Sequence, residues 1–164
     1  MELSAPEHVT ADFVGEPGER TFYIQASERG EIVSILVEKE QVASLADVLR
    51  RLLAEVDAEP PAAWDIASMR LRDPIVSRWR GGEVAVGIDP QLGRFVIEVD
   101  ELVPDEDREP ERVRIWLDED RAAVMAAHAE WAVAQGRPPC RVCGLPMDPD
   151  GHLCPRTNGD PRAR

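Results

Sequence analysis

Lysine is nearly absent from this chain, and so are long apolar runs and a balance of charge. Lys39 is the only lysine, and no apolar run reaches the length of about 18 residues that a transmembrane helix needs. Two carboxylates and no basic residue precede position 8, so no secretory leader is expected. With 32 acidic and 19 basic residues the net charge is −13, which disfavours binding to nucleic acid or to an anionic membrane.

Recognisable catalytic motifs are absent too. The sequence has no Gly-x-Ser-x-Gly, no His-Glu-x-x-His, no phosphate-binding Walker loop and no dinucleotide-binding Gly-x-Gly-x-x-Gly. Of the three histidines, His8 is expected in a frayed terminus and His128 on the face of a helix. These absences leave the reaction, if there is one, unidentified.

Cysteine is scarce and confined to one place. Cys140, Cys143 and Cys154 are the only cysteines, and His152 lies among them. A Cys-x2-Cys turn supplies two thiolates from one knuckle, and the glycines and prolines of residues 144–151 suit a loop that returns to the same ion. The spacing therefore predicts a four-ligand structural zinc site, and ligand spacing without a leader favours a reducing, cytoplasmic compartment.

Other interpretations of this cluster stay open. A redox pair at Cys140 and Cys143 would ordinarily open a helix, whereas glycine and proline follow here. A catalytic zinc would need water in place of one ligand, and an iron–sulfur centre rarely includes histidine. Nucleic-acid binding by the tail is a further alternative, resting on the arginines around the cluster: Arg137, Arg141, Arg156, Arg162 and Arg164.

Two parts of the chain resemble each other. The segments that begin at Val33 and Val113 both alternate apolar and polar residues as half-buried strands do, then pass through an acidic pair into a helical pattern. Upstream, Thr21-Phe-Tyr-Ile-Gln matches Arg94-Phe-Val-Ile-Glu. The pattern predicts an internal duplication of a strand-strand-strand-helix unit, with helices over about 40–57 and 119–135.

These units predict an α+β fold in which an antiparallel sheet carries helices on one face. The expected organisation is a first β-β-β-α repeat, a linker with a strand entry, a second repeat, and a zinc-binding tail: residues 1–57, 58–82, 83–135 and 136–164. An acidic loop, residues 100–111, is expected to be a solvated spacer, with a weak cation or basic-partner site as the alternative.

Four stretches resemble an actinobacterial family that is catalogued only as a domain of unknown function. They are Gly15–Ala26, Glu38–Ala43, Gly136–Cys143 and Asp148–Gly159, and the last two carry the cysteines and His152. The resemblance implies an actinobacterial, cytoplasmic protein with a shared metal site at Cys140, Cys143, His152 and Cys154. It implies no reaction.

The sequence thus favours a Zn²⁺-binding protein without enzymatic activity, whose tail serves as a clip or as a docking surface for a protein partner. The alternative is a metal-dependent or arginine-assisted enzyme acting on a small anionic (phosphorylated) substrate. A cleft between the repeats lined by Arg20, Arg78, Arg80 and Arg94 would favour the enzyme. The sequence does not determine the oligomeric state.

Overall fold

The computed structural model describes residues 1–61, 63–104, 108–136, 140–147 and 151–156. In this part of the chain seven strands form one sheet and two α-helices cover it, with a short 3-10 turn at Ala67–Met69. The elements are β1 (Glu2–Leu3), β2 (His8–Val14), β3 (Thr21–Glu28), β4 (Glu31–Val37), α1 (Lys39–Glu55), β5 (Ser77–Asp89), β6 (Arg94–Glu101), β7 (Arg112–Leu117) and α2 (Glu119–Ala134). The fold is therefore α+β.

The order strand-strand-strand-helix occurs twice, as β2-β3-β4-α1 and as β5-β6-β7-α2. The pairing register is the same in both: Phe22 pairs with Val37 in the first, as Phe95 pairs with Leu117 in the second. The next inward pairs are Ile24 with Ile35 and Ile97 with Ile115. This agreement supports the duplication, which stays a prediction. β5 begins at Ser77, within the stretch expected to be linker and strand entry.

The sheet is mixed, so the prediction of an antiparallel sheet was wrong at two places. β5 runs parallel to β4, and β1 runs parallel to β7. The first parallel pair arises because α1 and the following connection carry the chain back across the sheet before β5 starts, as a crossover does. The two units consequently join edge to edge, in the strand order β1-β7-β6-β5-β4-β3-β2.

The sheet is curled. β1 and β2 stand at opposite ends of the strand order, yet only Ser4–Glu7 separate them along the chain. Seven flat strands would hold their edges about 29 Å apart at ~4.8 Å per spacing, whereas the five residue steps from Leu3 to His8 span at most about 18 Å. The edges must therefore approach each other, and Leu3 is buried with the core.

The helices begin where the acidic residues predicted them to begin. The Gln41 side chain accepts a hydrogen bond from the Glu38 backbone N–H at 2.7 Å, and the Asp118 side chain accepts one from the Arg121 N–H at 2.9 Å. Both helices bury their apolar stripes against the inward residues of the sheet in a single core. Among the described residues, neither helix combines the length and the apolar character that crossing a membrane requires.

A segment that was predicted to be linker packs on the face of β2–β4 that points away from the hydrophobic core. The Gln25 side chain donates to the Arg72 carbonyl at 2.9 Å and accepts from the Arg72 N–H at 2.7 Å. The Thr10 hydroxyl donates to the Met69 carbonyl at 2.5 Å. These bonds satisfy polar side chains that lie buried within strands, so residues 63–72, here called the strap, form an integral part of the fold.

His8 was expected in a frayed terminus, and that prediction was wrong. It is the first residue of β2, pairs with Ser27 and is only 6% exposed. Burial lowers the pKa of His8 to about 4, and the positive charge of Arg72 adds to the effect. The strap creates this environment, because Arg72 belongs to it.

Candidate metal centre

The structure brings Cys140, Cys143, His152 and Cys154 together. One donor atom from each lies within 4.8 Å of the other three. The Sγ atoms of Cys140 and Cys154 are 4.0 Å apart, and Cys143 Sγ lies 3.6 Å from His152 Nε2. Two of the candidate ligands, Cys140 and Cys143, precede residues 144–151, and the other two follow them.

The first pair of cysteines sits on a tight turn built by its own backbone. The Cys140 N–H donates to the Leu145 carbonyl at 2.7 Å, and the Gly144 N–H donates to the Cys140 carbonyl at 2.8 Å. Gly144 has φ +77° and Gly151 has φ +93°, a conformation that L-residues with a Cβ rarely adopt. Gly144 therefore lies within the turn between Cys140 and Leu145, and Gly151 directly precedes His152.

The donor spacing fits a tetrahedral ion. With Zn–S near 2.3 Å and Zn–N near 2.0–2.1 Å, tetrahedral angles separate two sulfurs by about 3.8 Å and a sulfur from a nitrogen by about 3.6 Å. The separations of 4.0 Å and 3.6 Å lie close to those values. Three thiols and one imidazole are also the donor set that structural zinc sites use. The cluster could therefore bind a metal ion with small movements of its side chains.

The turn also stabilises a thiolate. Hydrogen bonds from the backbone N–H groups of Cys143 and Val142 lower the pKa of the Cys140 thiol. The Val142 nitrogen lies 3.4 Å from Cys140 Sγ. For Cys143, burial is the largest influence and raises the pKa of its thiol. Cys140 is thus better prepared than Cys143 to act as a metal ligand, since a metal binds the deprotonated sulfur.

The loop that carries the candidate ligands, here called the metal loop (residues 140–147 and 151–156), lies against the rest of the fold, here called the body (residues 1–135). Cys140 is 3% exposed and Cys154 is fully buried. Gly136 lies so close to Lys39 that a Cβ at position 136 would stand 2.5 Å from the lysine Nζ. Pro146, three residues after Cys143, lines a cavity of about 510 Å³ together with Lys39 at the start of α1. The tail therefore contributes one wall of a cavity whose other walls belong to the first unit and β5.

The arginines that would mark an enzyme cleft divide into two groups. Arg20 and Arg80 line this same cavity. Arg78 instead pairs with Glu111 at 2.7 Å. Arg94 donates to the Ser4 carbonyl at 2.5 Å and lies over the Trp116 ring. The structure thus brings two of the four arginines together and gives the other two different partners.

Arginines form ion pairs with acidic residues at both ends of the acidic loop. Arg112 pairs with Asp100 at 2.5 Å, which lowers the pKa of the Asp100 carboxyl, and Arg108 pairs with Glu101 at 2.6 Å. Residues 105–107 lie outside the described residues, as do Arg137, Arg162 and Arg164 of the tail. Arg156 donates to the Val142 carbonyl at 3.3 Å, so it braces the metal turn.

A buried polar cluster at the edge strand β2 was not predicted from the sequence. Asp12 and His128 are both fully buried, and Asp12 Oδ1 lies 3.6 Å from His128 Nε2 and 3.2 Å from Arg70 Nη1. The rings of Trp64 and Trp131 each lie 5.2 Å from the His128 ring. Helical spacing put His128 on a helix face but gave no indication of Asp12, because the two are far apart in the chain.

A family model described as a protein of unknown function, DUF3090, matches residues 1–154. No curated protein and no solved structure matches the chain. The family match includes the body of the fold and all four residues of the candidate metal centre.

Proposed function

Since the chain belongs to the DUF3090 family, whose function is unknown, we propose a function from the site: a structural Zn²⁺ held by Cys140, Cys143, His152 and Cys154 fixes the tail as a docking surface for a protein partner. The observation that carries the proposal is the set of four protein donors within 4.8 Å of one another, of which two separations are close to those of a tetrahedral zinc site. Four protein ligands complete the coordination of zinc, so no position remains for a water or a substrate. Such a site holds structure and does not catalyse.

The docking role draws on the apolar side chains that the tail exposes. Val142 is 42% exposed, Leu145 is 50% exposed and Leu153 is 80% exposed, and each lies within two residues of a candidate metal ligand. A metal-ordered loop presents these groups at low entropic cost, because the ion has already fixed its backbone. The proposal assumes the reducing cytoplasm of an actinobacterium, where the thiols stay available to the metal.

The metal content tests the site directly. Protein purified without chelator or metal-affinity resin should contain one zinc per chain by elemental analysis, with all three thiols protected from alkylation. Adding a chelator should expose all three, because a bound thiolate is a poor nucleophile toward the reagent. Metal-free protein, or a thiol that reacts rapidly while zinc is bound, would contradict the structural site and favour the redox interpretation.

The docking surface is tested by one substitution with a matched control. Leu153→Asp should reduce by tenfold or more the amount of partner protein that the chain captures from a lysate of the source cells. The substitution puts a charge at the most exposed leucine of the tail. Leu92→Asp, at a leucine that is 64% exposed in the β5–β6 turn, should capture the same proteins as the unmodified chain. Equal capture by Leu153→Asp would overturn the docking role.

The cavity beside the tail favours a second candidate function, an enzyme that acts on a small anion with assistance from arginine. Arg20 and Arg80 line this cavity of about 510 Å³ together, which is the observation that favours it. Arg78 and Arg94 have other partners, so the predicted row of four arginines does not support it as a whole.

A further inference from the structure

The cavity of about 510 Å³ is lined by both charged and apolar residues. Arg20, Lys39 and Arg80 are its cations, each from a different part of the fold, and Phe22 and Pro146 are among its apolar residues. Ligand cavities of small-molecule binding proteins have this size and this combination of surfaces. The walls therefore suit a molecule with a charged end and an apolar body.

Arg20 is the cation with the clearest need of a partner. Its guanidinium lies over the Phe13 ring, 4.0 Å from the ring centre, which holds it in place. Its Nε and Nη1 atoms are enclosed, and neither donates a hydrogen bond to any of the described residues. An enclosed N–H without an acceptor destabilises the fold, and more so when it belongs to a charged group. A rotation of the Arg20 side chain toward an acceptor in the cavity would remove that destabilisation.

The charge of the cavity contrasts with that of the chain. Three cations line it together with the carboxylates of Glu38 and Glu40, a net +1 in a protein of net charge −13. Glu38 pairs with Arg80, while Lys39 forms no ion pair within the described residues. Since the surrounding surface is acidic, an exchangeable anion would concentrate here rather than elsewhere.

We propose that this cavity binds a small organic phosphate, with the phosphate between Arg20, Lys39 and Arg80 and an apolar body against Phe22 and Pro146. A phosphate presents three strong acceptor oxygens, so three cations from three separate segments suit it better than they suit a carboxylate with two. The proposal deepens the second candidate function, on which it rests, by naming its ligand class. It concerns binding alone and does not depend on the identity of the metal.

The single lysine provides a direct test. Phenyl phosphate at millimolar concentration should slow acetylation of Lys39 by at least fivefold, measured by mass spectrometry on the peptide that contains it. The amino group of Met1, which donates to the Arg112 carbonyl at 2.6 Å and lies outside the cavity, is an internal reference whose acetylation rate should not change. Sodium chloride at equal ionic strength should protect neither amine.

Two variants assign the protection to the cavity. Arg20→Gln and Arg80→Gln should each reduce it to less than twofold, whereas Arg78→Gln, two residues along β5 and paired with Glu111, should leave it unchanged. Circular dichroism confirms that each variant is folded, and Arg80 is the safer position because its side chain is 55% exposed. Unprotected Lys39 in the unmodified protein, or full protection in folded Arg80→Gln, would overturn the proposal. Protection without any turnover would support binding and contradict only the enzyme.

Discussion

Replacing Cys143 with serine should reduce the zinc content from one per chain to nearly zero, while the body of the protein stays folded. A serine hydroxyl is a poor substitute for a thiolate, and losing one of four ligands opens the site to water. Structural zinc in small modules contributes roughly 10–16 kcal/mol of apparent binding free energy at neutral pH, so the tail should lose its order with the metal.

The body should not follow the tail, because the two have separate sources of stability. The main hydrophobic core contains residues from Leu3 to Ala132 and none from the tail. We therefore expect the thermal midpoint of the body to change by less than about 4 °C, which corresponds to less than ~1 kcal/mol for a domain of this size. The change in tail order should appear instead as rapid tryptic cleavage after Arg141, which the metal-bound turn protects.

Val142→Ser is the matched control for this experiment. It introduces the same residue one position earlier, where no ligand is lost, and should keep one zinc per chain and resist trypsin. Full retention of zinc by Cys143→Ser would refute the site as assigned. Unfolding of the whole chain would instead show that the tail belongs to the core of the fold.

The candidate ligands could be proposed from the sequence because they lie close together in the chain, and the structure brings them together. Between positions 140 and 154 the spacing alone limits what the cysteines and His152 can do. The two strand-helix units could also be predicted, because the alternation of apolar and polar residues determines which side of a strand is buried. Ile24, Ile35, Ile97 and Ile115 all face the core, as that alternation requires.

Features that depend on contacts between distant parts of the chain could not be predicted from the sequence. The parallel pairing of β4 with β5 and the curling of the sheet follow from how two units meet, which no local pattern records. The strap lacks helical or strand periodicity, and its position depends on contacts such as the one between Gln25 and Arg72. The cavity likewise combines Arg20, Lys39, Arg80 and Pro146, which only the folded chain brings together.

The buried His8 leads to the second large expected effect, a loss of stability in mild acid. Its pKa is lowered to about 4 in the folded protein by burial, by Arg72 and by the neighbouring His128, against 6.5 for a free side chain. Between these two values the unfolded chain binds a proton that the native protein does not. Stability therefore falls as the pH falls through this window, and it is fully present above pH 6.5. The loss from this residue should be about 2 kcal/mol between pH 7 and pH 5.

The exposed carboxylates respond in a different window. Arg50 and Arg51 lower the pKa of Asp47 from 3.8, and Arg108 lowers that of Glu101 from 4.5. For these groups the native state favours the charged form, so their contribution is present above the unfolded value and disappears only as the pH falls below it. The change in the free energy of unfolding between pH 7 and pH 5 therefore reports on His8 and not on these carboxylates.

Urea unfolding at pH 7, 6 and 5 separates these contributions when it is performed in the Cys143→Ser background, where no metal is released by acid. His8→Phe preserves a flat ring but cannot bind a proton, so it should lose about 2 kcal/mol less than its parent between pH 7 and pH 5. Asp47→Asn should follow the parent over that range and differ only below about pH 4. An equal loss in His8→Phe and its parent would mean that His8 is protonated in the native protein, and that the strap gives its ring access to water.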